Sequence, residues 1–326
     1  MKQLKINISE LFNLVGIDHK GGIAIYHSDM TGLEPNPKDD WLYLGLLALK
    51  DIAESRKNKI HSAAFIGSGN GIETIAALKL MPELKKIFVT DLVQDIQKGI
   101  IKNIRTNAAN DLKEVAISGL EGRDCQPLLE QVDLIYGNLP IIMCDPEEIK
   151  KHRLSMTTLT DAQSYEHLAV GHQDELRKWS MLSQLGFLLS AKDKLNKGGS
   201  ILTFIGGRIP YQIINQCFKR AGLSYKRIST SFKRQSDSQF LRQYADYEAK
   251  AGVSFSFYDY QQAAQIIKSR LGVLVPDVIN GLNDAELKEL LVPALLTAAQ
   301  AYKLSLTDQA VGHIAHAFEA WNPDNF

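Results

Sequence analysis

The stretch Ala63-Ala64-Phe65-Ile66-Gly67-Ser68-Gly69-Asn70-Gly71 decides how this chain is read. Four apolar residues run into three glycines at alternate positions, and a helical pattern follows over residues 72–81. Glycines there permit positive φ and close approach of a ligand to the backbone. The spacing is GxGxG; Ile72 stands where a third glycine would complete GxGxxG. A loop that wraps a pyrophosphate at a helix N-terminus is therefore not the expectation. Taken alone, the same residues make no more than a tight strand-to-helix turn.

Outward from this loop, residues 62–258 alternate short apolar runs with helical patterns, as a parallel α/β sheet requires. Strands are expected near 62–66, 87–90, 114–118, 132–136, 200–205, 224–230 and 254–258. Helices are expected over 72–81, 176–195 and 210–221, the second ended by Lys197-Gly198-Gly199. Residues 1–58 read as a helical extension, with Trp41 to Ala53 as its clearest helix. Residues 59–260 form the core. Residues 261–326 read as a helical appendage whose last helix carries Val311, Ile314, Ala315 and Phe318 at helical spacing, with Thr307 as its cap. That appendage packs on the core or on a second copy of the chain, the latter giving a homo-oligomer.

Two carboxylates follow the loop in strand order. Asp91 ends the second strand, where a carboxylate accepts hydrogen bonds from both ribose hydroxyls of a nucleoside. Asp124, in Gly122-Arg123-Asp124-Cys125, follows the third strand and can accept from an exocyclic adenine amine. Either one alone reads as a helix N-cap or a solvated loop residue. Together and in this order, over residues 60–230, they resemble the class I methyltransferase pattern. The resemblance implies a Rossmann-like α/β fold with a seven-stranded, mostly parallel sheet, and S-adenosylmethionine as cofactor. It further implies that Gly67, Ser68 and Gly69 line the methionine part, Asp91 the ribose, and Asp124 with Cys125 the adenine. That family commonly carries Asp or Glu two positions before the first glycine, to hold the cofactor's ammonium; this chain has Phe65.

The fourth strand ends in Tyr136-Gly137-Asn138-Leu139-Pro140-Ile141. Amino-group methyltransferases carry Asn/Asp-Pro-Pro-Tyr/Phe there, whose aromatic ring stacks on a planar NH2. Here Leu139 and Ile141 replace the second proline and the ring, so adenine or a glutamine amide is a poor acceptor. The order Pro37-Lys38-Asp39-Asp40-Trp41, Gly69-Asn70-Gly71, Asn138-Leu139-Pro140-Ile141, Gly206-Gly207-Arg208, Cys217-Phe218 and Phe255-Ser256-Phe257-Tyr258 resembles the methyltransferase domain of methionine S-methyltransferases. Methyl transfer to a thioether is the activity this implies, with Asn138 as the catalytic candidate and a cofactor contact. The acceptor is neutral and needs apposition rather than a base.

Azetidine-2-carboxylate synthases of the same fold offer an alternative. There the cofactor's own amine attacks its γ-carbon and methylthioadenosine leaves, and Phe65 would leave that amine untethered. A non-catalytic S-adenosylmethionine-binding regulator is the third reading. Trp41, Tyr43 and Tyr165 are candidates to face a sulfonium, although residues such as Trp41 and Tyr43 more often anchor a helix on the core. Arg208 is placed to grip a substrate carboxylate or to close a loop by a salt bridge.

Lys plus Arg number 37 and Asp plus Glu 37, so charge makes no case for nucleic acid or an anionic membrane as partner. A small-molecule substrate is expected instead. Cys125, Cys144 and Cys217 lack CxxC spacing, so neither a disulfide framework nor a metal site is expected. His313 and His316, read as sharing a helical face, suggest packing or surface roles, and His167 and His172 are read as exposed. The first residues alternate polar and apolar without a signal-peptide core, and no apolar run approaches the ~20 residues of a membrane span. The expected location is cytoplasmic.

Overall fold

A computed structural model describes residues 4–19, 22–27, 33–34, 36–92, 94–112, 114–144, 159–235, 238–307 and 309–325. The chain starts with a two-stranded antiparallel sheet of β1 (Leu4–Asn7) and β2 (Ala24–His27), bridged by α1 (Ser9–Val15). Asp40 then caps α2 (Trp41–Ser55), its carboxylate accepting from Leu42 N at 2.9 Å. The core follows as β3 (Ser62–Ile66), α3 (Ile72–Leu80), β4 (Lys86–Asp91), α4 (Gln94–Asn107), β5 (Ala116–Glu121) and β6 (Val132–Gly137). A small pair, β7 (Ile142–Cys144) and β8 (Leu159–Asp161), precedes the short α5 (Glu175–Lys178) and α6 (Leu182–Lys192). Then come β9 (Leu195–Gly206), α7 (Tyr211–Ala221) and β10 (Ser224–Gln235). The chain next makes α8 (Ser238–Ala251), β11 (Phe257–Asp259), α9 (Tyr260–Leu271), α10 (Asp284–Leu290), β12 (Leu295–Leu296) and α11 (Ala298–Ser305). It ends in β13 (Val311–Trp321).

Across the main sheet the strands run β5-β4-β3-β6-β9-β13, with β10 on the far flank of β13. Pairing from β5 through β9 is parallel; β13 is antiparallel to both β9 and β10. Counting only these seven in chain order, the sheet reads 3-2-1-4-5-7-6, a doubly wound sheet with one reversed strand. Chain direction across the sheet switches between β3 and β6. A crevice outside the carboxyl ends of the strands opens at such a point, and ligands of open α/β sheets bind there.

Both faces are covered. Phe65, Tyr136, Phe204, Ala315 and Ala317 pack under α2 and α3, while Ile66, Ile135, Ile201 and Phe318 pack under α6 and α7. A third cluster joins Phe232 and Ile314 to Ile267, Leu287 and Leu291 of the segment between β10 and β13.

The mixed α/β, mostly parallel architecture agrees with the reading of the sequence; several elements do not. Residues 311–318, expected as a helix, lie within β13. A strand paired on both edges and covered on both faces is buried throughout, from Val311 to Ala320, and shows no period of two. Apolar residues at 311, 314, 315 and 318 then imitate a helical stripe. The seventh core strand is thus β13, and the expected strand at 254–258 shrinks to β11, which pairs with the tip of β13 beyond the end of β9. With β11 and β12 the sheet has nine strands among the described residues. Residues 236–310 are therefore an insertion between the last two core strands, and 261–326 is no separate helical tail. The N-terminal region, expected as helical, contains the β1–β2 pair. The single helix expected over 176–195 is broken into α5 and α6, with Ser180 at φ 60° between them. No described helix is long and apolar enough to cross a membrane.

Candidate cofactor and acceptor site

At the carboxyl end of β3, Gly67, Gly69 and Gly71 all take positive φ, at 65°, 50° and 73°. Gly67 is constrained twice, since a Cβ there would stand 2.7 Å from Leu139 Cδ2. Backbone bonds hold the loop: Ser68 N donates to Thr90 O at 3.0 Å and Gly71 N to Ser68 O at 2.7 Å. The Ser68 hydroxyl turns back to donate to Phe65 O at 2.5 Å, leaving the loop's outer surface to backbone. Gly69 N donates to Asp91 Oδ2 at 3.4 Å, and Gly122 N to Asp91 O at 3.2 Å. The loop, the end of β4 and the turn after β5 thus form one rim. Buried Asn103 of α4 donates to both Asn70 O and Tyr26 O at 3.0 Å, which ties the N-terminal strand pair to the loop's far end.

Asp124 sits on the turn after β5 at φ 51°, only 7% exposed. Its carboxylate accepts from the Tyr165 hydroxyl at 3.0 and 3.1 Å. Burial pushes its pKa up to about 6, against the opposing pull of the Tyr165 hydroxyl and the Arg123 charge. One neutral donor does not balance a buried carboxylate, so this group has capacity for another. Tyr165 reaches it because Gly186 of α6 leaves room: a Cβ at 186 would lie 2.5 Å from the ring. Tyr165 therefore belongs to the Asp124 end of the rim, with Arg123 5.3 Å above its ring. The Cys125 thiol packs in the core and burial raises its pKa, while its N–H donates to Ser190 Oγ at 3.3 Å and its carbonyl accepts from Leu128 N at 3.1 Å.

On the other side of the loop, β6 delivers Asn138. The peptides around it are pinned. Thr203 Oγ1 donates to Gly137 O at 3.1 Å and itself accepts from Gln184 Nε2, while Ser180 Oγ donates to Ile141 O at 2.8 Å. Gly137 lies against the Phe187 ring, 2.5 Å from where a Cβ would be. The Asn138 amide makes no hydrogen bond within the described residues. Gly67, Ser68, Gly69, Asp91 and Asn138 are thus brought together at the switch point, with Asp124 one turn farther along the rim.

Phe65 points into the core against Tyr136, ring centroids 5.7 Å apart, and offers nothing to a ligand. Glu73, in the first turn of α3, is the carboxyl nearest in kind. Desolvation raises its pKa to about 7, and the charge of Asp40 adds to that. Tyr43 is an anchor, its hydroxyl donating to Asp277 Oδ1 at 3.0 Å. His167 and His172 are exposed, as expected.

The histidines of β13 are where the sequence misled most. Three residues apart in a strand, they face opposite ways. His316 is buried, with Nε2 2.8 Å from Asp284 Oδ1 and Nδ1 2.9 Å from Thr230 Oγ1, an arrangement that locks α10 onto the sheet. His313 faces Trp41 on the α2 side, beside Lys233 and Arg208. In the sequence Lys233 reads only as the end of a short Lys/Arg scatter that starts at Lys219. Its signal is a lysine inside Thr230-Ser231-Phe232-Lys233, a strand end that is otherwise buried. Among the described residues Arg208 closes no salt bridge; it donates to the Tyr244 hydroxyl at 2.7 Å and Gln235 Oε1 at 3.2 Å.

No protein-family model matches this chain, and no curated protein matches it. Solved structures do. The ribosomal protein L11 methylase of Lactobacillus delbrueckii is similar at 16% identity over 66% of this chain and 89% of its own, with a TM-score of 0.36. The N-methyltransferase NodS of Bradyrhizobium japonicum gives 16% identity over 60% and 89%, with a TM-score of 0.36. A SAM-dependent methyltransferase of Agrobacterium tumefaciens gives 9% over 70% and 63%, with a TM-score of 0.43. These likenesses are low, and the fold is read from the strand order itself.

Proposed function

We propose that this chain is an S-adenosylmethionine-dependent enzyme that transfers a methyl group to a small acceptor, with a thioether as the leading acceptor. One observation carries the reading: Gly69 N–H meets the Asp91 carboxylate at the switch point of a 3-2-1-4-5-7-6 sheet. The residues fit the cofactor. Gly67, Ser68 and Gly69 would hold its methionine part, and Asp91 its ribose hydroxyls. The buried Asp124 carboxylate, with the Cys125 backbone, would hold its adenine amine. A side chain at 67 would collide with Leu139 Cδ2, so only glycine lets the loop pass this close to it.

The cofactor supplies an electrophilic methyl on a sulfonium. A thioether carries no proton to remove, so this chain's task is to hold the acceptor in line and exclude water. Asn138, on its pinned peptide, orients the acceptor. Balanced charge supports a small molecule rather than nucleic acid.

Phe65 favours a second reading. With no carboxylate at that position, the cofactor's amine is less firmly held as ammonium, which suits intramolecular cyclisation. Products separate the two. Pure protein with S-adenosylmethionine and methionine should yield S-adenosylhomocysteine and S-methylmethionine. Methylthioadenosine from S-adenosylmethionine alone would instead favour the cyclase. Binding without either product would point to a regulator, and no binding in calorimetry would sink all three.

A further inference from the structure

Two strands beyond Asn138, the carboxyl ends of β9 and β10 meet the start of β13, and three basic side chains converge there. Lys233 and His313 are direct partners in the β10–β13 register. Arg208 follows the end of β9, where Gly207 N donates to Ile314 O at 2.8 Å. Trp41, the first residue of α2, walls them in: its ring centroid lies 4.9 Å from Lys233 Nζ, 5.7 Å from the His313 ring and 6.0 Å from Arg208 Cζ. Exposure is 2% for Lys233, 1% for His313 and 7% for Arg208.

The hydrogen-bond account of this cluster does not close. Among the described residues Lys233 Nζ, both His313 ring nitrogens and Arg208 Nε have no hydrogen-bond partner. Two of the three carboxylates whose charges reach Lys233 already accept other donors. Asp39 accepts from Arg234 N and Asn36 Nδ2, and Asp40 from Leu42 N and Glu34 N. Neither cation forms an ion pair among the described residues. Buried donors without acceptors are rare and costly, and two buried cations beside each other need a counter-charge. Desolvation accordingly lowers the Lys233 pKa to about 7, with the charges of Asp40, Glu34 and Asp39 opposing and that of Arg208 reinforcing. The missing partner is an anion.

We propose that Lys233, His313 and Arg208 form the subsite for the carboxylate of the acceptor, with Trp41 as its wall. This rests on the methyl-transfer reading and specifies its substrate class. His313 lies two strand spacings from β6 and Lys233 three, about 10 and 14 Å.

The test is thermal unfolding of the full chain with L-methionine, L-methioninamide or inorganic phosphate, in wild type and Lys233→Met. A saturable rise in Tm with L-methionine, absent with the amide, is expected in wild type. In K233M the ligand-free Tm should rise, since an unpaired buried cation is gone, and the methionine response should vanish. Where turnover is measurable, Lys233→Met should raise KM for the carboxylate acceptor at least tenfold and change kcat little. A response to phosphate alone, a methionine response that survives in K233M, or a K233M protein less stable than wild type overturns the proposal. Calorimetry with S-adenosylmethionine runs in parallel. Failure there with the methionine shift intact would remove the methyl-transfer reading and leave the carboxylate site standing.

Discussion

Asp124 is held in a conformation and a degree of burial that its folded state alone does not reward. Its folded pKa, about 6, stands above the unfolded value of 3.8, so its contribution is most favourable below pH 3.8 and is lost as pH rises through 6. At neutral pH the buried charge costs roughly 3 kcal/mol by that shift. Asp124→Asn should therefore raise Tm at pH 7.5 and much less at pH 4, while weakening S-adenosylmethionine binding in calorimetry. Unchanged affinity in D124N would remove this residue from the adenine site. Asp91 makes the opposite trade, since it sits at the open rim and steadies the glycine loop through Gly69 N. Charge-assisted hydrogen bonds are each worth about 1.5–3 kcal/mol, so Asp91→Ala should lose on the order of 10- to 100-fold in affinity for S-adenosylmethionine. The sequence singles out both carboxylates by their place at strand ends: Asp91 closes β4, and Asp124 stands in the turn after β5. It does not bring Lys233 and His313 together, since their meaning depends on a β10–β13 pairing across more than seventy intervening residues, and no local pattern reports it.

At the scale of elements, β3 is recovered residue for residue, and α3, β4, β6, α7 and the start of β10 to within a residue or two, because each is bounded by glycine, proline or a charged turn. β13 escaped because its signal was the absence of alternation. The consequence is testable: a chain cut after residue 260, where the sequence suggested a boundary, leaves β9 and β10 without the strand that joins them. It should lack near-ultraviolet circular dichroism and aggregate, and a well-folded 1–260 fragment would contradict the strand order. Gly312 supplies a milder probe. A Cβ there would lie 2.3 Å from the Phe232 ring, so Gly312→Ala should destabilise the protein by about 1–3 kcal/mol in urea unfolding.

The whole molecule should respond to acid through the two histidines of β13. Desolvation lowers the pKa of both His313 and His316; the charges of Arg208 and Lys233 reinforce this at His313, while Asp284 opposes it at His316. Their folded values lie below the unfolded one, so the full stability they allow is present above about pH 6.5 and is lost as pH falls below it. Asp124 and Glu73, whose pKa values are raised, act the other way over pH 8 to 5, so the readout is a difference: the Tm of wild type relative to His313→Gln should fall as pH drops across that window. The placement of β13 also bears on biosynthesis. A ribosome delivers β3 through β10 before residues 311–321 exist, so the growing chain carries a half-built sheet with two raw edges. Such edges recruit neighbouring chains. Slow translation through the 236–310 insertion would lengthen that exposure, and this protein's yield in a cell should depend on chaperone supply more than its finished stability suggests.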